Sequence, residues 1–247
     1  MKKNTQIVAI IEARMTSSRL PGKVLMKILE RPILHYMIDR LKAVTLIDRI
    51  VLATTINSTD DILVEFAKDE GIDFFRGSEE DVMLRVIEAA DFANADIIVE
   101  VTGDCPIIDP EIIEQTISMY NNNNVDYVSN GHVRSYPDGM DTQVYSLETL
   151  KRSISMTNDL LDHEHVTLHI RNNPKLFTRI NLIAPPEVYW PELGLTLDER
   201  SDYDLLKIII KHFIKTPLFS CLDVVKYLRK NQHLVEINNN VKRKGDS

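Results

Sequence analysis

The first half of the chain alternates short apolar runs with longer helical patterns. Five runs predict buried strands, at Ile7 to Ile11, Arg49 to Thr54, Ile72 to Phe75, Asp96 to Val101 and Asp126 to Ser129. Helix-start signals stand between them, at Ser58-x-x-Asp61, Ser78-x-x-Asp81 and Asp109-Pro110. Strands that alternate with helices form a parallel-rich sheet covered by helices. The sequence therefore predicts an α/β fold.

The rhythm changes after residue 130. The pattern predicts a loop at Gly131 to Met140, a strand near Thr142 to Tyr145, a helix from Ser146, a helix over Leu160 to Arg171, a strand at Phe177 to Ile183 and a helix over Tyr203 to Ile214. We interpret 1–237 as a single domain and 131–180 as a small lobe inserted in it. The polar tail, 238–247, is expected to be frayed and disordered.

Composition excludes several classes of function. The 247 residues carry a net charge of −8, which argues against a general nucleic-acid or membrane-surface binder, because such binding needs a basic face. Two cysteines, Cys105 and Cys221, are too few for a disulfide scaffold and favour the cytoplasm. The apolar run that ends at Glu12 is shorter than a signal-peptide core, and no stretch approaches membrane-spanning length.

A hydroxyl-rich segment with three cations follows the first predicted strand. It reads Glu12-Ala-Arg-Met-Thr-Ser-Ser-Arg-Leu-Pro-Gly-Lys23. Ligands of open α/β sheets bind at the carboxyl ends of strands, so Arg14, Arg19 and Lys23 are placed to neutralise a triphosphate. The chain has neither a Walker loop nor a dinucleotide fingerprint. The alternative is a polar surface loop with a proline turn.

Two carboxylates are candidate metal ligands. Asp104 follows a buried strand in a Gly-Asp turn, and Asp198 ends a late apolar run. Mg²⁺ takes few protein oxygens and completes its shell with water and substrate phosphates, which fits carboxylates that face a phosphate site. The alternatives are that Asp104 only forms a turn and that Asp198 only caps the helix beginning near Ser201. Asp109 is assigned to helix capping.

The basic segment 12–23 and six further segments resemble those of a known family. The six are Ala53-Thr-Thr55, Phe75-Arg-Gly-Ser-Glu-Glu-Asp-Val82, Thr102-Gly-Asp-Cys-Pro-Ile-Ile-Asp-Pro-Glu111, Tyr136-Pro-Asp-Gly-Met-Asp141, Glu164-His-Val-Thr167 and Leu197-Asp-Glu199. Over about residues 6–214 the chain resembles the cytidylyltransferases of the spore-coat polysaccharide type. Those are relatives of the synthetases that make CMP-activated sialic and other ulosonic acids.

The resemblance implies a fold and an activity. The fold would be a GT-A-like, Rossmann-type three-layer sandwich. The activity would be Mg²⁺-dependent coupling of CTP to an acidic sugar, with loss of pyrophosphate, for a surface polysaccharide. It also implies a homodimer in which 131–180 contacts the neighbouring subunit.

Residue roles follow from the same resemblance. It implies catalytic roles for Lys23, Arg14 and Asp104, and metal binding by Asp104 and Asp198. The nucleotide-binding residues would be Ala13, Arg14, Ser18, Arg19, Lys23, Thr54 and Gly103. The sugar-binding residues would be Arg76, Asp138, Asp141, Glu164 and His165. Glu12 departs from the family, because relatives commonly carry Gln or Pro there, and a carboxylate changes the hydrogen bonds offered to the base.

Several of these residues have plainer explanations. Arg76 can be a solvated side chain beside a helix cap, and Asp138 and Asp141 fit ordinary turn chemistry. His165 and His169 share one face of the predicted helix, but no partner completes a zinc motif. Cys105 and Trp190 are interpreted as packing residues.

Two other functions compete with the leading one. A GT-A glycosyltransferase would use a nucleotide sugar, but such enzymes usually carry an Asp-x-Asp motif, which Gly103-Asp104-Cys105-Pro106 is not. A non-catalytic nucleotide-binding protein can share the fold, although it would be expected to have lost some of the charged residues.

Overall fold

The central sheet has seven strands. A computed structural model describes residues 5–243, and the predicted tail residues 244–247 lie outside that range. The strands in it are β1 (Ile7–Glu12), β2 (Lys27–Ile28), β3 (Arg31–Pro32), β4 (Arg49–Thr55), β5 (Asp73–Gly77), β6 (Ile97–Thr102), β7 (Tyr127–Ser129), β8 (Gln143–Ser146) and β9 (Arg179–Asn181). The sheet order is β5-β4-β1-β6-β8-β7-β9, while β2 and β3 form a separate hairpin. Strands β5, β4, β1 and β6 are parallel, and β8 runs antiparallel to β6 and β7. The predicted α/β, parallel-rich sheet is confirmed.

Helices cover both faces of this sheet. The α-helices are α1 (Ile33–Lys42), α2 (Asp61–Glu70), α3 (Val82–Phe92), α4 (Pro110–Asn121), α5 (Leu147–Ile154), α6 (Leu160–Glu164), α7 (Leu168–Asn172), α8 (Arg200–His212), α9 (Cys221–Lys230) and α10 (Gln232–Val235). Short 3-10 turns cover Lys23–Leu25 and Ser58–Asp60. In the described range, no helix is both long enough and apolar enough to cross a bilayer.

Strand β1 shows why the sheet is buried on both sides. Its residues are all apolar up to Glu12, and successive side chains of a strand point to opposite faces. Ile7, Ala9 and Ile11 pack in the core with α1, α2 and α4, whereas Val8 and Ile10 pack in the core with α3 and α5. A third core joins α8 and α9 to the hairpin side of the molecule. The result is a three-layer sandwich.

Two of the three predicted helix starts act as the sequence indicates. Asp81 accepts a hydrogen bond from Leu84 N at the start of α3, and Asp109 accepts one from Glu111 N at the start of α4. Ser58 instead begins a 3-10 turn, and α2 has no side-chain cap. Asp60, the acidic residue of that turn, instead accepts hydrogen bonds from Met15, Thr54 and Thr55.

The second half differs from the sequence prediction in two places. The helix expected over Leu160 to Arg171 is two short helices, α6 and α7, because Val166 between them has a φ of 47°. The strand expected at Phe177 to Ile183 is confined to β9. Strands β8 and β9 join the main sheet, and the assignment of 131–180 as an inserted lobe stays a prediction.

The C-terminal segment is also more ordered than the sequence indicates. Helices α9 and α10 were not predicted, although Ser220 and Asp223 form a capping box at the start of α9. Asn238 is 4% exposed, and its amide donates to Gly194 O and to Asp202 Oδ1. Residues 238–243 therefore pack against the domain, because their polar side chains have buried partners.

Candidate active site

The basic segment is fixed by a buried carboxylate. Asp60 is fully buried and accepts from Met15 N at 2.8 Å, from Thr54 Oγ1 at 3.0 Å and from the backbone and hydroxyl of Thr55. Burial alone would raise the pKa of Asp60, but these hydrogen bonds outweigh it and lower the pKa. Thr54 therefore orients the loop through Asp60 and does not line the cavity described below, and its nucleotide-binding role stays a prediction.

The turn after β6 lies directly beside the start of this loop. Gly103 N donates to Glu12 O at 2.8 Å, and a Cβ at Gly103 would lie 3.0 Å from the Cβ of Ala13. Leu197 N donates to Asp104 O at 2.7 Å. These backbone bonds bring the carboxyl end of β1, the Asp104 turn and the segment before α8 to one edge of the sheet.

Lys23 bridges the two carboxylates at this edge. Its Nζ lies 2.8 Å from Asp104 Oδ2 and 3.1 Å from Asp198 Oδ1, and its side chain is 11% exposed. Arg19 Nη2 lies 2.7 Å from the same Asp198 oxygen. Burial would lower the pKa of Lys23, but Asp104 and then Asp198 raise it above its usual value. Burial likewise acts to raise the pKa of Asp104, and Lys23 lowers it.

The carboxylates fit a magnesium ion better than a zinc ion. Among residues 5–243 there is no group of three or more His, Cys, Asp or Glu side chains that could hold a metal. Asp104 and Asp198 nevertheless share one cation, Lys23, so both can reach a common point. Two carboxylates completed by phosphates and water are a normal Mg²⁺ shell. Asp198 does not cap α8, whose N-cap is Glu199.

A cavity of about 250 Å³ opens over these residues. Six of the seven predicted nucleotide-binding residues line it, namely Ala13, Arg14, Ser18, Arg19, Lys23 and Gly103. Asp104, Asp198, Glu164 and His165 line it as well. The cations therefore converge with the carboxylates at one cavity, although their roles stay predictions. Arg14 contacts Glu79 at 3.2 Å near the surface.

Glu12, which lines the cavity, interacts with the buried Glu100, and sequence reasoning missed this carboxylate pair. Tyr145 Oη and Gln143 Nε2 donate to Glu100, and Glu12 Oε1 has no hydrogen-bond partner among the described residues. Burial, and then Glu100, raise the pKa of Glu12 well above its usual value. Burial also raises the pKa of Glu100, to about 7. The signal was present in the sequence, because a charge inside an apolar strand such as Val99-Glu100-Val101 needs a buried partner.

Arg85 is a second residue that the sequence analysis missed. It lies in α3, is 3% exposed and lines the cavity. Its guanidinium donates to Ser78 O, and its charge acts against the raised pKa of Glu12. A basic residue on the buried face of an amphipathic helix was the available signal.

The five predicted sugar-binding residues do not form one group. Arg76 donates to Thr55 O and Asn57 O and contacts Asp61 at 2.7 Å, so it stabilises the end of β4. It lines neither of the two cavities described here. Asp141 is half-buried against Gly131, where an added Cβ would lie 2.7 Å from its Oδ1. Asp141 likewise lines neither cavity, and the sugar-binding roles of Arg76 and Asp141 stay predictions.

The other three lie near cavities. Glu164 and His165 line the cavity above Lys23, and Asp138 lines a separate cavity next to it. Burial, followed by Asp141, raises the pKa of Asp138 to about 7. The pairing of His165 with His169 on one helix face was wrong, because the helix breaks between them and His169 contacts Asp162 at 3.2 Å.

Comparison with known proteins decides the family. Residues 8–236 match the family described as Cytidylyltransferase. The chain belongs to this family. This cytidylyltransferase is 33% identical to the spore coat polysaccharide biosynthesis protein SpsF of Bacillus subtilis, over 91% of this chain and 95% of that protein. It is 35% identical to an uncharacterized protein of Methanocaldococcus jannaschii, over 97% of each chain.

Other similarities cover less of the chain or are more distant. The 3-deoxy-manno-octulosonate cytidylyltransferase of Trichlorobacter lovleyi is 34% identical over 118 residues, which are 47% of this chain and 45% of that protein. A cytidylyltransferase structure from Leptospira borgpetersenii superposes with a TM-score of 0.89 at 31% identity, over 97% of this chain and 99% of that chain. CMP:2-keto-3-deoxy-manno-octonic acid synthetase complexed with CTP has a TM-score of 0.61 at 18% identity, over 84% and 99% of the two chains, and shows a shared fold.

Proposed function

We propose that this cytidylyltransferase joins CTP to an acidic sugar, giving a CMP-sugar and pyrophosphate for surface polysaccharide synthesis. The observation that carries the proposal is the bridge from Lys23 to Asp104 and Asp198, with Arg19 on the same carboxylate. Nucleotidyl transfer needs cations for a triphosphate and carboxylates for a metal ion within one cavity. The names of SpsF and of the octulosonate cytidylyltransferase support the acidic sugar and the polysaccharide role.

The basic segment holds the triphosphate in this proposal. Arg19 and Lys23 neutralise carboxylates in the nucleotide-free protein, and Arg14 is partly exposed at the mouth of the cavity. Phosphate oxygens offer these cations a second anionic partner. Lys23 then stabilises the charge that develops at the α-phosphate, and Arg14 and Arg19 stabilise the charge on the departing pyrophosphate.

Asp104 and Asp198 would hold Mg²⁺. The ion, when bound, supplies positive charge to the phosphate oxygens and lowers the pKa of a nearby hydroxyl. Asp104 is positioned by the backbone bond from Leu197, which also fixes the segment that carries Asp198. The protein therefore holds the two carboxylates in place before the substrates arrive.

The chemical step needs no side-chain nucleophile. A sugar oxygen forms a bond to the α-phosphorus as the bond from that phosphorus to the β-phosphate oxygen breaks, and the sugar hydroxyl gives up its proton. Pyrophosphate leaves with the electron pair of the broken bond. The protein aligns the two substrates, and Lys23 and Arg19 stabilise the negative charge that develops on the phosphate oxygens.

Glu12 is the residue in this proposal that bears on base choice. It lines the nucleotide cavity, its Oε1 is buried and has no hydrogen-bond partner among the described residues, and burial raises its pKa well above the usual value. A carboxylate accepts from the exocyclic amino group of cytosine, whereas a protonated carboxyl can also donate to the carbonyl that uracil presents at that position. Comparison of CTP with UTP therefore tests the base assignment at Glu12.

We also propose a cytoplasmic homodimer with contacts in 131–180. The support is a group of exposed apolar side chains on this segment, Met156 at 48%, Leu160 at 83% and Leu161 at 56%. Sedimentation of the whole chain tests the assembly. A monomer at micromolar concentration would contradict it.

Pyrophosphate release tests the function. CTP, UTP, GTP, ATP and dTTP are each incubated with Mg²⁺ and a panel of ulosonic acids, other sugar acids, sugar 1-phosphates and neutral sugars. We expect release with CTP and at least one acidic sugar. Release only from another nucleotide would reject the base assignment, and no release with any pair would reject the transferase.

A further inference from the structure

A second cavity lies beside the nucleotide cavity. Its volume is about 530 Å³, and part of its wall is the C-terminal segment 238–243. Trp190, Glu192, Asp138 and Arg134 contribute side chains from the body of the domain, and Arg243 contributes one from the tail. Of this set, only Asp138 is among the residues that the family resemblance implies for sugar binding.

Arg243 separates the two cavities. Its guanidinium forms two hydrogen bonds with Asp202, at 2.7 and 3.0 Å, and its Nε lies 3.6 Å from Asp138 Oδ2. Its Nη1 lies 3.8 Å from Asp198 Oδ2, on the side of the nucleotide cavity. Asp138 belongs to one cavity and Asp198 to the other, so the Arg243 side chain stands where they meet.

The position of Arg243 is built into the surrounding structure. Its side chain is 9% exposed and lies against Gly194, where an added Cβ would be 1.9 Å from Nη2. Asn238 holds the start of the tail to Gly194 and Asp202, and Arg19 donates to Lys242 O at 2.9 Å. Residues 238–243 therefore occupy a defined position, because Gly194 leaves room for the Arg243 guanidinium and the buried Asn238 amide holds the segment to the domain.

The lining of the second cavity combines three kinds of recognition. Two guanidinium groups, of Arg134 and Arg243, suit an anion. The carboxyl groups of Asp138 and Glu192 are able to accept hydrogen bonds from the hydroxyl groups of a ligand, and the indole of Trp190 offers an apolar face. A ligand that needs all three is a polyhydroxylated molecule with a carboxylate or a phosphate.

We propose that this cavity binds the acceptor sugar and that Arg243 contacts its anionic group. The inference rests on the proposed transferase function and extends it, because it assigns a place and a residue to the second substrate. The Arg243 side chain, whose Nη1 lies 3.8 Å from Asp198 Oδ2, would then stand between the acceptor and the proposed nucleotide cavity. Asp202 acts as a positioning residue, since it accepts two hydrogen bonds that orient the Arg243 guanidinium.

The single tryptophan gives a direct readout. The chain contains one Trp, and it lies in the wall of this cavity. The whole chain is loaded with Mg²⁺ and a non-hydrolysable CTP analogue and titrated with the acceptor found by the pyrophosphate assay, while Trp190 fluorescence is recorded. We expect a saturable change with the acidic acceptor and none with its neutral parent sugar. The sugar-acid and sugar-phosphate arms of that assay tell the two kinds of anion apart.

Substitution of Arg243 separates this inference from the proposed function. In Arg243→Ala we expect the KM for the acceptor to rise at least tenfold while the KM for CTP changes less than threefold, and Arg243→Lys should recover part of the loss. Arg31→Ala, a change of the same kind at a side chain that is 62% exposed, should leave both constants unchanged.

The outcomes are distinct. If wild-type protein releases pyrophosphate but Arg243→Ala keeps its acceptor KM, or Trp190 does not respond to the acceptor, the inference is overturned and the transferase stands. If a neutral sugar serves as well as an acidic one, the anionic class is wrong. If no acceptor supports release, the proposed function fails and this inference fails with it.

Discussion

Replacing Lys23 by alanine should change metal binding and turnover in opposite directions. The ammonium group of Lys23 contacts both Asp104 and Asp198, the two proposed magnesium ligands. We expect Lys23 to compete with a divalent cation for these oxygens. Lys23→Ala removes this competitor and also leaves two neighbouring carboxylates without their shared cation, so both effects favour a divalent cation.

The distances allow the size of the effect to be worked out. Nζ lies 2.8 and 3.1 Å from the two carboxylate oxygens, and the Lys23 side chain is 11% exposed. A hydrogen bond between charged groups contributes about 1.5–3 kcal/mol, part of which Lys23 recovers when it moves to solvent. If about 1.4 kcal/mol is released, the dissociation constant for Mg²⁺ falls about tenfold. Turnover should fall about 100-fold to 1,000-fold, as when a preorganised group that stabilises the transition state is removed.

Calorimetric titration of Mg²⁺ into nucleotide-free protein and pyrophosphate release under saturating substrates measure the two effects. Lys27→Ala is the matched control, because it removes the same charge from an exposed side chain of β2. Weaker or unchanged Mg²⁺ binding in Lys23→Ala would refute the competition between lysine and metal. Near-normal turnover would remove Lys23 from the transition state.

Three further changes test other parts of the structure. Asp104→Asn should raise the Mg²⁺ concentration needed for half-maximal activity at least tenfold, because a neutral amide is a weaker ligand; an unchanged titration would move the metal elsewhere. The pKa of Glu100 is raised from 4.5 to about 7, so the folded state binds more protons than the unfolded state in that interval and stability falls as pH rises through it. Glu100→Gln should reduce this slope in thermal unfolding, to which Asp138 and Glu12 also contribute, and raise the melting temperature at pH 8 more than at pH 5; equal shifts would contradict the titration. Asp60→Ala should lower the free energy of unfolding by about 3 kcal/mol and raise the KM for CTP, because buried donors lose their acceptor; Asp69→Ala, at an exposed side chain of α2, is the control in chemical denaturation.

The sequence predicted the edge of the sheet where the charged residues meet. Buried parallel strands end at one edge, so cations after β1 and a carboxylate after β6 had to be neighbours. The structure shows this as the contact of 2.8 Å between Lys23 and Asp104. The sequence also offered Asp198 as a second carboxylate, and its backbone neighbour Leu197 is bound to the Asp104 turn.

The sequence could not predict partners that come together only through the tertiary fold. Arg76 lies in β5, and its position beside β4 gives it two backbone carbonyls and Asp61 as partners, which the sequence did not indicate. The tail looked disordered because it is polar, yet Arg243 and Asn238 bind Asp202. A polar segment can be buried when a buried carboxylate accepts hydrogen bonds from its side chains. The local sequence does not show where such a carboxylate lies.

Buried charges within strands were the other omission. Glu12 and Glu100 lie on adjacent strands of the sheet, and neither has a charged neighbour in the sequence that would explain it. Their interaction depends on the pairing of β1 with β6. It therefore became visible only when the register was known.

Phosphorus NMR of the complete reaction tests the central claim most directly. Protein, Mg²⁺, CTP and the acidic sugar identified by the pyrophosphate assay are combined, and the spectrum is followed with time. The proposed function predicts that pyrophosphate and a phosphodiester linking cytidine monophosphate to the sugar appear in equal amounts. Pyrophosphate accompanied by free cytidine monophosphate, with no phosphodiester, would contradict it and identify the chain as a CTP hydrolase.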